Sequence, residues 1–311
     1  MKNSTIFHKD CSQHSFTVST SSLITILSLS GVCGIAAIFL NILVILVICY
    51  KPALRSMTNY WIVSLAVADL LIATLGVPVW CLKLLQKAHF IEENVHNLFT
   101  VIVVLTLSAS SLNLLALSYD RYVGVTAPFQ YQSRLTPRKC GKIIAVIWTS
   151  SLLVSLISLK NNCGISAQGH FALFMGIFGI PFVFISYFYV RIFKEANRQK
   201  RLIKVQETRS NQHQPCFLKE YKAVMTVAMV TGSFALCWLP GLIDSAIHLS
   251  APKFWADTQL WLGTTTLACF SSVLNPILYS VRIKAFRSTL PITTIFPKVN
   301  RNSVSIVSHT V

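Results

Sequence analysis

Apolar residues fall into seven long blocks along the chain, at about 22–50, 58–84, 94–126, 140–160, 170–194, 217–249 and 256–281, with short polar stretches between them. About 20 helical residues at 1.5 Å rise span a hydrocarbon core of roughly 30 Å, and each block is long enough. The pattern predicts seven transmembrane helices. The third, sixth and seventh blocks also carry polar residues, which places them inside a bundle rather than against lipid on all sides. The polar stretch 195–219 reads as a loop that extends the fifth and sixth helices. At residues 282–290, Ile283, Phe286 and Leu290 alternate with Arg282, Lys284 and Arg287. That alternation predicts a short amphipathic eighth helix lying on the membrane surface. The fold class is therefore an all-α membrane protein, a seven-helix bundle with an amphipathic eighth helix.

Composition sharpens this reading. Of 311 residues 53% are hydrophobic and only 12% charged, with mean hydropathy +0.60, so the chain cannot clothe a soluble surface. Its net charge of +17 would suit nucleic acid, but the basic residues sit in clusters between apolar blocks, as on loops facing anionic lipid. Nucleic acid is excluded as a partner and membrane lipid is expected. Counting Lys and Arg by side puts 21 on the set formed by the first, third and fifth loops and the C-terminal tail. The other set holds 6: Lys2, Lys9, Lys83, Lys87, Lys160 and Lys253. By the positive-inside rule the N-terminus is extracellular. Residues 1–21 are then an extracellular segment, 22–290 the transmembrane domain, and 291–311 a polar cytoplasmic tail expected to be disordered. The N-terminal segment lacks the order of a cleaved leader, so the first block is expected to be the anchor. Asn3 begins a glycosylation sequon on the outer side.

Ionisable groups at bilayer depth are costly and need a partner or a purpose. Asp69 is the deepest. Asn41, Ser110, Asn113, Ser271, Ser272 and Asn275 are its expected neighbours. A carboxylate ringed by hydroxyls and amides can hold a monovalent cation, and a hydrogen-bonded packing role is the alternative. Asp120-Arg121-Tyr122 closes the third block at its cytoplasmic edge. An Arg121–Glu220 contact there would tie the third helix to the sixth; a solvated loop arginine is the alternative. Pro240 breaks the sixth helix just after Trp238, with Phe234 one turn below, making a hinge under an aromatic side chain.

These residues together resemble a rhodopsin-like (class A) G protein-coupled receptor over residues 22–290. The motifs run in order: Asn41, then Leu65-Ala66-Val67-Ala68-Asp69, then Asp120-Arg121-Tyr122, Trp148, and Pro181 with Tyr189. Cys237-Trp238-Leu239-Pro240 and Asn275-Pro276-Ile277-Leu278-Tyr279 complete the series. The resemblance implies a plasma-membrane receptor coupled to a heterotrimeric G protein, in which an outside ligand tilts the sixth helix outward. Arg121 would release Glu220, while Tyr189 and Tyr279 swing inward. Asp69 with Ser110, Ser271, Ser272 and Asn275 would hold an allosteric sodium ion; no other cofactor is implied.

The chain departs from the family pattern on its outer side. His96 stands where relatives usually carry a cysteine, so Cys163 lacks its customary partner; it pairs with Cys11, pairs elsewhere in the protein, or stays a free thiol. Val103 lies 18 residues before Arg121, five turns up the same seam as Leu107, Ser110 and Leu114. Amine receptors of the family carry an aspartate there, so an amine has no counter-ion at that point. The ligand seam is expected from Val103, Val104, Leu107, Leu242, Ser245, His248, Thr265 and Cys269, which is mostly apolar. Resemblances of the third-helix exit and of the outer loops lean toward the adenosine, melanocortin, lysophospholipid and cannabinoid group. The ligand is a small molecule, a lipid or a peptide. A receptor-like protein acting without ligand is the main alternative. A transporter would need repeats or broken midplane helices, which are missing from the sequence. An enzyme would need a nucleophilic or metal-binding cluster, and the eight histidines are dispersed.

Overall fold

The computed structural model describes residues 20–54, 56–86, 94–158, 167–210, 215–251 and 260–282. Asn3, Cys11, Cys163 and the amphipathic segment beyond Arg282 lie outside these residues, as do the side chains of His96 and Glu220.

Seven rods appear in the expected order. α1 is Thr20–Tyr50. α2 runs as Met57–Leu71, a π turn Ile72–Gly76, and Val77–Gln86. α3 is Asn94–Thr126 and α4 is Pro137–Ile157. α5 runs as Ala167–Phe174, a π turn Met175–Gly179, and Ile180–Ser210. α6 is Pro215–Ser250 and α7 is Leu260–Arg282. The rods α1 to α6 contain spans long and apolar enough to cross a membrane. α7 has 23 residues, or about 35 Å of rise, and is more polar because it carries Thr264, Thr265, Thr266, Ser271, Ser272 and Asn275.

Local chemistry explains the boundaries. Ser56 caps α2 by accepting from the backbone N–H of Asn59, and Thr136 caps α4 through Lys139 with Pro137 at the first turn. Each π turn stands just before a proline, Pro78 in α2 and Pro181 in α5. A proline nitrogen cannot donate to the carbonyl four residues back, and a widened turn accommodates the gap. The stretch 195–219, expected as a loop that extends the fifth and sixth helices, is mostly helical: α5 continues to Ser210 and α6 begins at Pro215. Lys, Arg, Gln and Glu are good helix formers, and Arg198 pairs with Glu195 at 3.0 Å one turn apart.

α3 is the centre, packed against α2, α4, α5 and α6; α7 packs against α6, α1 and α2. α2 and α3 are the most buried spans, while α4 and α5 turn most of their surface outward. The outer surface is apolar, with Val32 and Ile35 on α1, Val146 and Leu153 on α4, Val183 on α5 and Leu236 on α6 exposed. Water would penalise such a belt; lipid does not. Because lipid tails are as apolar as the side chains, small residues set the close contacts. Ala68, Ala109, Ser111, Ser118, Ser151 and Ser155 are all fully buried. A Cβ at Gly34 would come within 3.2 Å of Val77, where α1 meets α2.

Candidate functional site

Near its C-terminal end α3 carries Asp120 and Arg121, both buried. One Asp120 oxygen, Oδ2, accepts from Arg121 Nε at 2.9 Å, Arg121 Nη2 at 2.6 Å and the Thr58 hydroxyl at 2.8 Å. The other, Oδ1, accepts from the Tyr131 hydroxyl at 2.7 Å. Arg121 Nη2 also donates to Thr58, so the threonine closes a ring between carboxylate and guanidinium. This knot joins α3, the start of α2 and the short helical turn after Pro128–Gln130. Burial above all, and then the charge of Asp120, pushes the Tyr131 phenol up to about 12. It keeps its proton and its donor role at physiological pH. Its stabilising contribution is complete below its ordinary value near 10 and is lost only as pH climbs toward 12. Thr58 and Tyr131 carry no signature in the sequence that marks them as partners of Asp120. Beside the knot Phe129 is fully exposed.

At mid-membrane Asp69, only 2% exposed, accepts from the Asn275 amide at 2.9 Å, and Ser272 is within its reach. Asn41 donates at 2.9 Å to the carbonyls of Ala37 and of Ser272, tying α1 to α7. Ser110 and Tyr279 are buried, and the Ser271 hydroxyl donates to the Ala268 carbonyl at 2.7 Å. Trp148 Nε1 donates to Ser64 at 3.1 Å, fixing α4 to α2.

Around Pro240 the rings form a continuous string. Trp238 lies 5.9 Å from Phe234 and 6.2 Å from Phe174, and Phe234 lies 6.1 Å from Phe182. Phe178 and Phe182 stack at 4.4 Å. α5 thus contributes three rings against the α6 hinge, none of them evident from the motifs. Gly241, next to Pro240, keeps the approach open: a Cβ there would meet the Phe174 ring at 3.3 Å.

Above these rings Val103, Leu107 and Leu242 pack in the same apolar cluster as Trp238. Val104 is buried, the Ser245 hydroxyl is spent on the Gly241 carbonyl at 2.9 Å, and His248 and Thr265 are half-buried. Cys269 shares its neighbourhood with Cys81 of α2 and Cys33 of α1. Val103 also touches a second cluster near the N-terminal end of α3. There Trp80 stacks on Phe99 at 5.4 Å and meets Trp261 edge-on at 5.6 Å. The Lys83 ammonium lies 5.0 Å over Phe99 and 5.6 Å over Trp261. Lys83 otherwise reads only as one basic residue among those on the outer side.

Comparison with known proteins agrees with this geometry. Residues 40–279 match the family described as 7 transmembrane receptor (rhodopsin family). The chain is 32% identical to the histamine H2 receptor of Cavia porcellus over 300 residues, 88% of this chain and 78% of that protein. It is 30% identical to the Homo sapiens histamine H2 receptor, covering 92% of this chain and 83% of the relative. Against the Homo sapiens adenosine receptor A2a the identity is 29%, covering 87% and 71%. With seven rods and the motif residues arranged as described, the chain belongs to the rhodopsin family of seven-transmembrane, G protein-coupled receptors.

Proposed function

We propose that this receptor works at the plasma membrane with its N-terminus outside, and that a small extracellular molecule drives α6 outward to open its inner face to a heterotrimeric G protein. The Asp120–Arg121–Thr58–Tyr131 knot carries this reading. It holds a permanently charged guanidinium buried at the membrane's inner edge, in a place where a partner can compete for it. Relatives named as histamine and adenosine receptors favour a small molecule over a peptide. The seam of Val103, Leu107 and Leu242 above Trp238 lies where such a ligand would press on the α6 hinge. Its function is signalling, not catalysis.

Phe129 is the expected docking knob. A large aromatic fully exposed beside the knot loses water contact only when a partner covers it. Phe129→Ala is expected to cut ligand-free nucleotide exchange on added G protein about tenfold, the effect of losing one buried aromatic anchor. Equal exchange at equal surface expression would remove Phe129 from the interface.

Orientation has its own test. On intact cells an impermeant antibody should reach a tag at the N-terminus, and a C-terminal tag only after permeabilisation. Both tags answering on the same side would overturn the assignment.

The mid-membrane residues fit a sodium ion. Asp69 brings a buried carboxylate, and the buried Asn275 Oδ1 has no hydrogen-bond partner. Ser271 donates its proton elsewhere and keeps its oxygen lone pairs for a cation. Ser110 and Ser272 complete the set of oxygens. When bound, the ion supplies a positive charge that offsets the carboxylate. Asp69 and Asn275 meanwhile hold α2 against α7 in the resting state.

A further inference from the structure

Many Ser and Thr hydroxyls along the described helices are spent on their own helix. Thr106 donates to the Ile102 carbonyl, Ser108 to Val104, Ser186 to Phe182, Ser233 to Val230 and Ser280 to Pro276. Five buried Ser and Thr hydroxyls among the described residues have no partner, those of Ser30, Ser111, Ser118, Ser151 and Thr231, and two of them, Ser118 on α3 and Thr231 on α6, share a neighbour. They are 0% and 4% exposed, and neither hydroxyl has a closed hydrogen bond within its helix or outside it. Both face the hydroxyl of Tyr189 on α5, which is buried and equally unpaired. Three helices thus bring three hydroxyls together, and Tyr189 also packs against two apolar clusters, one with Val125, Ile192 and Val224 and one with Val227 and Val230.

A hydroxyl offers one proton and two lone pairs, so three that face one another can satisfy themselves in a ring by small rotations. Each is otherwise left buried without a partner, an arrangement proteins rarely keep without a use. We propose that Ser118 and Thr231 form a latch that parks the Tyr189 hydroxyl in the resting state, with Thr231 as the member that leaves when α6 moves. This rests on the reading that α6 moves outward. Removal of Thr231 leaves Tyr189 short of a partner just as Arg121, close enough for its charge to reach that hydroxyl, becomes available. Thr231 is accordingly a positioning residue: it touches neither ligand nor G protein and acts through Tyr189.

The test is ligand-free nucleotide exchange on purified G protein by the full-length receptor in membranes, normalised to surface expression. Thr231→Val keeps the branched shape and deletes the hydroxyl. It is expected to raise exchange between about twofold and tenfold, the range for one lost hydrogen bond. Thr231→Ser should restore the wild-type rate. In a Tyr189→Phe background Thr231→Val should add nothing, because the partner is already absent. Ser118→Ala repeats the test from α3 if Thr231→Val lowers expression. Unchanged exchange in Thr231→Val and Ser118→Ala, or the same rise with Tyr189→Phe present, overturns the latch. Asp120→Ala in the same series separates the two readings. If it raises exchange and the latch variants do not, the latch alone falls; if neither does, the reading that the Asp120–Arg121 knot restrains signalling falls as well.

Discussion

Asp120→Ala is expected to raise ligand-free nucleotide exchange about tenfold and to lower the receptor's melting temperature by several degrees. Removing one partner of a buried ion pair costs about 3–5 kcal/mol, because the remaining charge is left without compensation. Here that charge is Arg121, which loses both the Asp120 carboxylate and the ring closed by Thr58. The guanidinium can escape the penalty by turning toward the inner surface, where a G protein docks. A shift of about 1.4 kcal/mol in favour of that state is enough for a tenfold change in its population. Tyr131→Phe should act in the same direction and more weakly. It removes one hydrogen bond to Oδ1 and leaves the ion pair intact. The measurement is labelled-nucleotide exchange beside a thermal melt of the solubilised receptor. A melting temperature that falls with no rise in exchange would make the knot a purely structural tie.

Asp69→Asn is expected to abolish the dependence of basal exchange on sodium concentration. The amide is nearly isosteric and keeps a hydrogen bond to Asn275, so α2 and α7 stay joined. What disappears is the negative charge, without which a ring of neutral oxygens gives up the comparison with bulk water. Titrating sodium against potassium at constant ionic strength separates a specific ion from general screening. The wild type should lose basal exchange as sodium rises, and the variant should give a flat line. A sodium response that survives in Asp69→Asn would place the ion elsewhere.

Much of the architecture is legible from the apolar blocks alone, because bilayer thickness imposes one length on every crossing helix. The Asp120-Arg121 doublet is legible as a charged end to an apolar run, but the sequence offers Glu220 as the partner of Arg121, and its pairing with Asp120 comes from the structure. Tyr131 and Thr58 are different. They meet Asp120 across 11 and 62 residues of chain, and only the packing of α2 and the turn against α3 brings them there. The ring string of Phe174, Phe178 and Phe182 is hidden for another reason. Four-residue spacing along α5 marks a shared face but not the helix it meets, and aromatic residues are ordinary in any membrane span. Ser271 shows the same limit in reverse. Its place in the polar set is readable, yet its proton goes to Ala268, a choice made by a side-chain rotation that no spacing encodes.

The two widened turns have a practical consequence for anyone transferring residue roles among relatives. Each holds one residue more than a regular turn, so everything on its outer side is rotated by about 100° relative to an uninterrupted helix. Counting from Arg121 along α3 is safe, because no such insertion intervenes before Val103. Counting outward from Asp69 to Trp80 and Lys83, or from Tyr189 to Phe174, crosses one. An alignment against a receptor without that extra residue would assign those side chains to the wrong face, and a ligand hypothesis built on it would be aimed one position off.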